Sequence, residues 1–273
     1  MGEVILRPES IAEMVEAVRS APRLRVLGSG SRLAWIKPWS GPTVSTLGLT
    51  GIVDMRATDG VVVVRAGTLT EDFLAEMEVV GLTLPLALGL PRDISQRFGT
   101  VGGLVATGLP HALEALSGPI RDWVLGVTVV RGDGSVCKAG SKVLKSVAGF
   151  DVQRFAVGSR GGLFALAEVV LRLRRVAAVP AFRVEMVGQA RSHYVARVLP
   201  DHLGEVATLQ RGLVAKEPSG LFWTSNPVVA ELGSGWWIGP GGTRSRVQAP
   251  SLEFTAKETI DPDGRFEGGW ADA

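Results

Sequence analysis

Three histidines, one cysteine and several clusters of glycine are the residues in this 273-residue chain whose type or spacing could carry chemistry. Glycine loses more backbone entropy on folding than any other residue. Its gathering at 28–30, 99–108, 158–162 and 233–242 therefore calls for tight turns or for backbone lying close to a ligand. Gly28-Ser29-Gly30-Ser31 follows an apolar run at 24–27. Consecutive N–H groups in such a loop form an anion nest, and a plain turn is the other reading. A dinucleotide fingerprint is excluded here. Leu33 stands where the third glycine belongs, and Pro38, Gly41 and Pro42 break the helix that should follow. The segment 98–108 reads as a helix of small residues. Its first N–H groups suit a pyrophosphate, and its small side chains equally suit close helix packing. A third segment, 142–151, continues through Arg154-Phe155 into Gly158-Ser159-Arg160-Gly161-Gly162 and is neither amphipathic nor a simple turn.

Other side chains offer less. His111 lies three residues beyond Gly108, near enough to contact a ligand held there, or else it is a loop histidine. His193 and His202 are candidate general bases or structural residues, and the three histidines have no metal-ligand spacing. Cys137 lies mid-strand beside Lys138 and reads as a packed, inert thiol. A single cysteine forms no internal disulfide, which favours a reducing, cytoplasmic setting. Lys142 and Lys145 either neutralise phosphate or are solvated. Asp122 and Asp151 fit loop-fixing bonds to backbone N–H groups better than catalysis.

The elements that position these residues follow from periodicity. Strands are expected at 4–6, 24–27, 43–47, 52–56, 61–66, 82–86, 123–131, 135–139 and 164–173, with Asp133-Gly134 as a hairpin turn. The run Val61 to Val64 has no polar alternation, which predicts burial on both faces. Capping boxes at Ser10–Glu13 and Thr68–Glu71 predict helices ending at Pro22 and Gly81, and a short helix is expected at 101–107. After Arg175 the pattern changes. Residues 176–180 read as a linker, 182–187 as a strand, and 192–199 and 203–213 as helices, while Trp223, Trp236, Trp237 and Trp270 concentrate in the last third.

Composition bounds the function. The chain has 46% hydrophobic and 21% charged residues, which are globular values. A net charge of +2 with no basic run argues against a nucleic-acid partner. The longest apolar run, 79–90, is broken by Gly81 and Pro85 and is too short to span a bilayer, so no transmembrane segment is expected. The first ten residues lack the cationic and apolar regions of a signal peptide.

Five segments in order carry a family likeness. They are Gly28-Ser29-Gly30-Ser31, Thr100-Val101-Gly102-Gly103 through Ala106-Thr107-Gly108, Arg121-Asp122-Trp123-Val124-Leu125-Gly126, 142–151, and Gly158-Ser159-Arg160-Gly161-Gly162-Leu163. Together they resemble the FAD-binding domain of the vanillyl-alcohol oxidase/PCMH superfamily. The likeness is greatest to the FAD-binding subunits of bacterial glycolate oxidase, especially the smaller one. Three positions depart from the family pattern: Ser146 replaces Asn, Phe150 replaces Tyr, and Phe164 replaces Gly.

The resemblance implies an α+β fold. A two-subdomain PCMH-type FAD-binding domain would occupy 1–175, divided at about 56/57, and a small, reduced α+β cap region would follow over 176–273. It implies contacts to FAD from Leu27, Gly28, Ser29, Gly30, Ser31, Arg32, Pro91, Gly99, Thr100, Gly102, Gly103, Ala106, Thr107, Gly108, Asp122, Val124, Lys145, Gly149, Phe150, Asp151, Gly158, Gly161 and Leu163. With no His or Cys in the first glycine loop, the flavin is expected to be non-covalent. No catalytic residue is assigned beyond the candidate His111. The implied activity is that of the FAD-binding subunit of a glycolate-type 2-hydroxyacid oxidase or dehydrogenase, in which flavin takes a hydride equivalent and passes electrons on. A non-catalytic FAD-carrying or scaffold subunit is the alternative. A second flavin subunit and an iron–sulfur subunit are the implied partners, in the cytoplasm or peripherally at the inner membrane through them.

Overall fold

Helix α1, Ile11–Arg19, begins where Ser10 Oγ accepts the Glu13 N–H at 3.1 Å while the Glu13 carboxylate accepts the Glu9 N–H at 3.0 Å. The first bond is the cap expected from the sequence, while the Glu13 carboxylate reaches back to the N–H one residue before the cap and also accepts the Ser10 hydroxyl at 3.1 Å. In this computed structural model, residues 5–31, 38–84, 99–108, 118–141, 152–176 and 260–266 are described, together with the backbone of six strands between 185 and 245.

The helix connects β1, Ile5–Leu6, to β2, Arg25–Leu27. Both strands pair in parallel with β3, Thr43–Ser45, which lies between them: Ile5 and Arg25 face Thr43 from opposite sides. Met14, Ala17 and Val18 turn the buried face of α1 inward. Downstream, β4, Ile52–Arg56, and β5, Val61–Arg65, form a hairpin that leads into α2, Thr70–Val79, then β6, Leu82–Thr83, and α3, Val101–Thr107. The chain continues through β7, Val124–Val130, β8, Val136–Gly140, β9, Ala165–Arg172, and β10, Arg174–Arg175. Five of these strands make an antiparallel sheet in the order β4-β5-β9-β7-β8. Val61, Val62, Val63 and Val64 are all buried, as a run without polar alternation predicts. Phe73 and Met77 of α2 and Val101, Leu104 and Val105 of α3 join one core with α1 and the sheet. Each side chain of that size contributes about 1.5–3 kcal/mol by leaving water.

The later strands are β11, Glu185–Met186, β12, Tyr194–Arg197, β13, Leu213–Lys216, β14, Leu221–Thr224, β15, Trp236–Gly239, and β16, Gly242–Ser245. They form an antiparallel sheet in the order β11-β13-β14-β12-β15-β16. Mixed parallel and antiparallel sheets with helices are thus established for the chain.

Several local expectations are corrected. The helix expected at 192–199 is strand β12, where Val195 faces Trp223 on one side and Ile238 on the other. Those partners lie about thirty to forty residues ahead, beyond the reach of a local pattern. Leu213, the end of the other expected helix, opens β13, and 203–212 lie outside the described residues. The capping box at Thr68–Glu71 does not form. Leu69 is the N-cap of α2 without a side-chain bond, and Thr68 Oγ1 instead accepts the Gly51 N–H at 2.9 Å. A tertiary partner outcompetes the local one.

The tail also returns. Leu24 N–H donates to Arg265 O at 2.9 Å, and Phe266, 2% exposed, forms a parallel bridge with Leu24 inside the core. Asp261, equally buried, accepts the N–H groups of Arg265 and Phe266 at 3.0 Å, and Arg265 Nη1 donates to Val18 O and Ala21 O at 3.2 and 3.0 Å. The end of α1 is therefore capped by residues more than 240 positions away.

Candidate functional site

A cleft enclosing about 780 Å³, its open mouth included, is built from three separated segments. Leu27, Gly28, Ser29, Gly30 and Ser31 leave the end of β2. Thr100, Gly102, Gly103, Ala106 and Thr107 come from α3. Ser159, Arg160, Gly161 and Phe164 come from the turn that feeds β9, Leu166 comes from β9 itself, and Val26, Thr46 and Ala66 complete the wall.

Helix α3 is anchored at both ends. Val101 N–H donates to Thr68 O at 2.9 Å, Gly102 N–H to Ala66 O at 2.8 Å, and Gly103 N–H to Thr100 Oγ1 at 3.1 Å. The expectation that free N–H groups at this helix start would hold an anion is corrected, because the first turn is engaged by the β5–α2 connection and by its own cap. At the other end Gly158 N–H reaches Val105 O at 3.2 Å and Arg160 N–H reaches Ala106 O at 2.8 Å, satisfying carbonyls that a helix end leaves open. Gly102 explains the small residues. A β-carbon there would lie 2.7 Å from Ala66 Cβ, so the helix sits directly on β5's exit.

The first glycine loop differs. Among the described residues, no hydrogen bond is made by the backbone N–H groups of Gly28, Ser29 or Gly30. The loop packs on the 99–100 corner, since a β-carbon on Gly99 would meet Ser31 Oγ at 2.6 Å and Ser29 Oγ at 2.8 Å. Behind it Thr46 Oγ1 donates to Leu27 O at 3.3 Å. Three adjacent donors without internal partners beside small residues suit an extended anion, so the residues present fit the pyrophosphate of FAD.

Other residues named from the sequence lie elsewhere. Gly99 is the corner just described, Gly108 caps α3 in the left-handed region against Gly158, and Leu163 is packed against the core. Asp122 is exposed at the end of a short 3-10 turn, 120–122, and Val124 is buried in β7. Neither lines the cleft. Arg32, Pro91, His111, Lys142, Lys145, Gly149, Phe150, Asp151, His193 and His202 lie outside the described residues. Cys137 is half-buried on β8, with Ser135 Oγ 4.0 Å from its sulfur. Sequence reasoning passed over Arg160, Thr46, Ala66 and Leu166 as lining residues. Arg160 stands within the Gly158–Leu163 segment that carries the family likeness, between Ser159 and Gly161. Thr46, Ala66 and Leu166 carry no local signal. Phe164, noted as a departure from glycine, is 4% exposed and lines the cleft.

Comparison with known proteins agrees with this geometry. Residues 2–140 match the model of a family described as FAD binding domain. Glycolate oxidase subunit GlcE of Escherichia coli is 33% identical over 166 residues, covering 60% of this chain and 46% of that protein. Glycolate oxidase subunit GlcD of Bacillus subtilis is 27% identical, covering 63% and 37%, and a D-lactate dehydrogenase of Anaerostipes hadrus 28%, covering 63% and 36%. The chain thus spans less than half the length of these curated relatives. A solved structure of alkyldihydroxyacetonephosphate synthase shares the fold, with a TM-score of 0.52 at 18% identity over 76% of this chain and 37% of that one. The likeness read from the glycine segments is borne out: the chain belongs to the FAD binding domain family.

Proposed function

We propose that this chain is the FAD-binding subunit of a flavin-dependent oxidoreductase acting on a small 2-hydroxyacid of the glycolate type. It would bind FAD non-covalently and work beside a second flavin subunit and an iron–sulfur subunit in the cytoplasm or, through them, at the inner membrane. The observation that carries the reading is the cleft, where unengaged amides of Gly28, Ser29 and Gly30 meet the small residues of α3. Bound FAD supplies a two-electron acceptor; the chain supplies orientation and electrostatics. Gly28 to Gly30 would hold the phosphates, Gly103 and Ala106 leave room for the body of the cofactor, and Phe164 closes the wall beside it. Relatives named glycolate oxidase subunits and D-lactate dehydrogenase support the substrate class. Among the described residues no helix is long and apolar enough to cross a membrane.

A second reading, a non-catalytic FAD-carrying or scaffold subunit, is favoured by one feature. The described residues that line the cleft include no His, Asp or Glu to serve as a base. The absorption spectrum of the purified chain, before and after acid precipitation, tests the cofactor. Flavin bands that pass to the supernatant are expected, and flavin retained in the pellet would overturn non-covalent binding. Anaerobic glycolate or D-lactate then separates the two readings. Flavin reduction by the chain with its partner subunits but not without them supports a catalytic assembly. No effect of this chain on partner reduction supports the scaffold.

A further inference from the structure

The cleft is nearly neutral. Its described lining consists of glycines, aliphatic side chains, hydroxyls and one phenylalanine, and Arg160 is the one ionised side chain among them. The backbone at Arg160 has φ +55°, the only positive φ at a non-glycine position among the described residues. The left-handed region disfavours any residue with a β-carbon. In the same turn Gly158 and Gly161, at φ +83° and +73°, adopt it without that penalty. Strain held at a binding cleft is retained where the side chain has a task. The turn is fixed from both sides: Arg160 N–H bonds Ala106 O, and Gly161 faces Val26 O, two residues before Gly28. The side chain of the half-buried Arg160 therefore starts from a rigid point on the wall that ends in the unengaged amides.

We propose that Arg160 is a binding residue for the phosphate-bearing part of the cofactor, supplying from the 158–161 turn the positive charge that the Gly28–Gly30 amides lack. The proposal rests on the FAD reading above. A guanidinium offers paired donors to phosphate oxygens in a way an ammonium does not, so charge and fork both count.

The test titrates the flavin-free full chain with FAD, and with ADP and adenosine by displacement. Arg160→Gln is expected to weaken FAD and ADP together, by about ten-fold or more, and to flatten their salt dependence, with adenosine unchanged. Arg160→Lys recovers part of the loss. Arg160→Gly weakens FAD as Arg160→Gln does, yet raises the melting temperature of the ligand-free chain by ~2 °C because the strain is relieved. Equal FAD affinity in wild type and Arg160→Gln overturns the proposal, as does a parallel loss for adenosine, which would place the side chain on the nucleoside. A wild-type chain that binds ADP but not FAD sinks the flavin reading and leaves Arg160 to be judged on ADP. Binding of neither overturns both.

Discussion

Thr100 Oγ1 occupies the position that a β-carbon on Gly28 would need, so the first glycine loop and the cap of α3 are fitted to each other through one missing side chain. Gly28→Ala must push the two segments apart and is expected to destabilise the chain by about 1–3 kcal/mol, the usual range for overpacking. The penalty should shrink in a Thr100→Ala background. Thr100→Ala alone removes the N-cap bond to Gly103 N–H and costs about 0.5–2 kcal/mol. Denaturant melts of the four proteins give the coupling, and strict additivity would refute the contact.

Neighbouring glycines of α3 should respond differently. A methyl on Gly102 meets Ala66 Cβ at 2.7 Å and Ala66 O at 2.9 Å, whereas one on Gly103 meets only Thr100 Oγ1, at 3.1 Å. Gly102→Ala is therefore expected to lower stability by about 1–3 kcal/mol. Gly103→Ala should keep or improve the fold, because alanine is favoured over glycine in a helix, while weakening FAD by filling the cleft. Melting temperature and FAD titration on both variants check the split.

The return of the tail onto α1 makes stability of the first sheet depend on the far end of the chain. Phe266→Ala should cost about 3–5 kcal/mol as a buried large-to-small change. Asp261→Ala, which leaves the Arg265 and Phe266 N–H groups without their acceptor, should cost about 1–3 kcal/mol. Chemical denaturation reads both, and wild-type midpoints in both would refute the clasp.

In the β7–β8 hairpin, bonds from the Ser135 hydroxyl and the Ser135 N–H hold the Asp133 carboxyl below its ordinary value, with a further contribution from Arg131. A carboxyl lowered in the folded chain stabilises it above the unfolded pKa, and the contribution disappears as pH falls through the folded value. The stability advantage over Asp133→Asn should accordingly be present at neutral pH and vanish in acid. Ser135→Ala should move the Asp133 midpoint upward in an NMR titration, and an unmoved midpoint would count against this bond.

Much of this was readable in the residues themselves because it depends on neighbours in sequence. The Ser10–Glu13 cap, the apolar run of β5, the Asp133-Gly134 turn and the helix at 101–107 each arise from groups within a few positions. The glycine segments announced both the family and the parts of the cleft. Tertiary structure alone decided which donors remain for a ligand. Residues 66 and 68 engage the first amides of α3, leaving the role to Gly28, Ser29 and Gly30. It also decided that Thr68 binds Gly51 rather than capping α2, that Tyr194–Arg197 is a strand, and that Arg265 closes α1. In each case the deciding partner is at least seventeen residues away or on another element. A hydrogen-bonding group selects whatever acceptor the packed core brings within about 3 Å, and local periodicity carries no record of that choice.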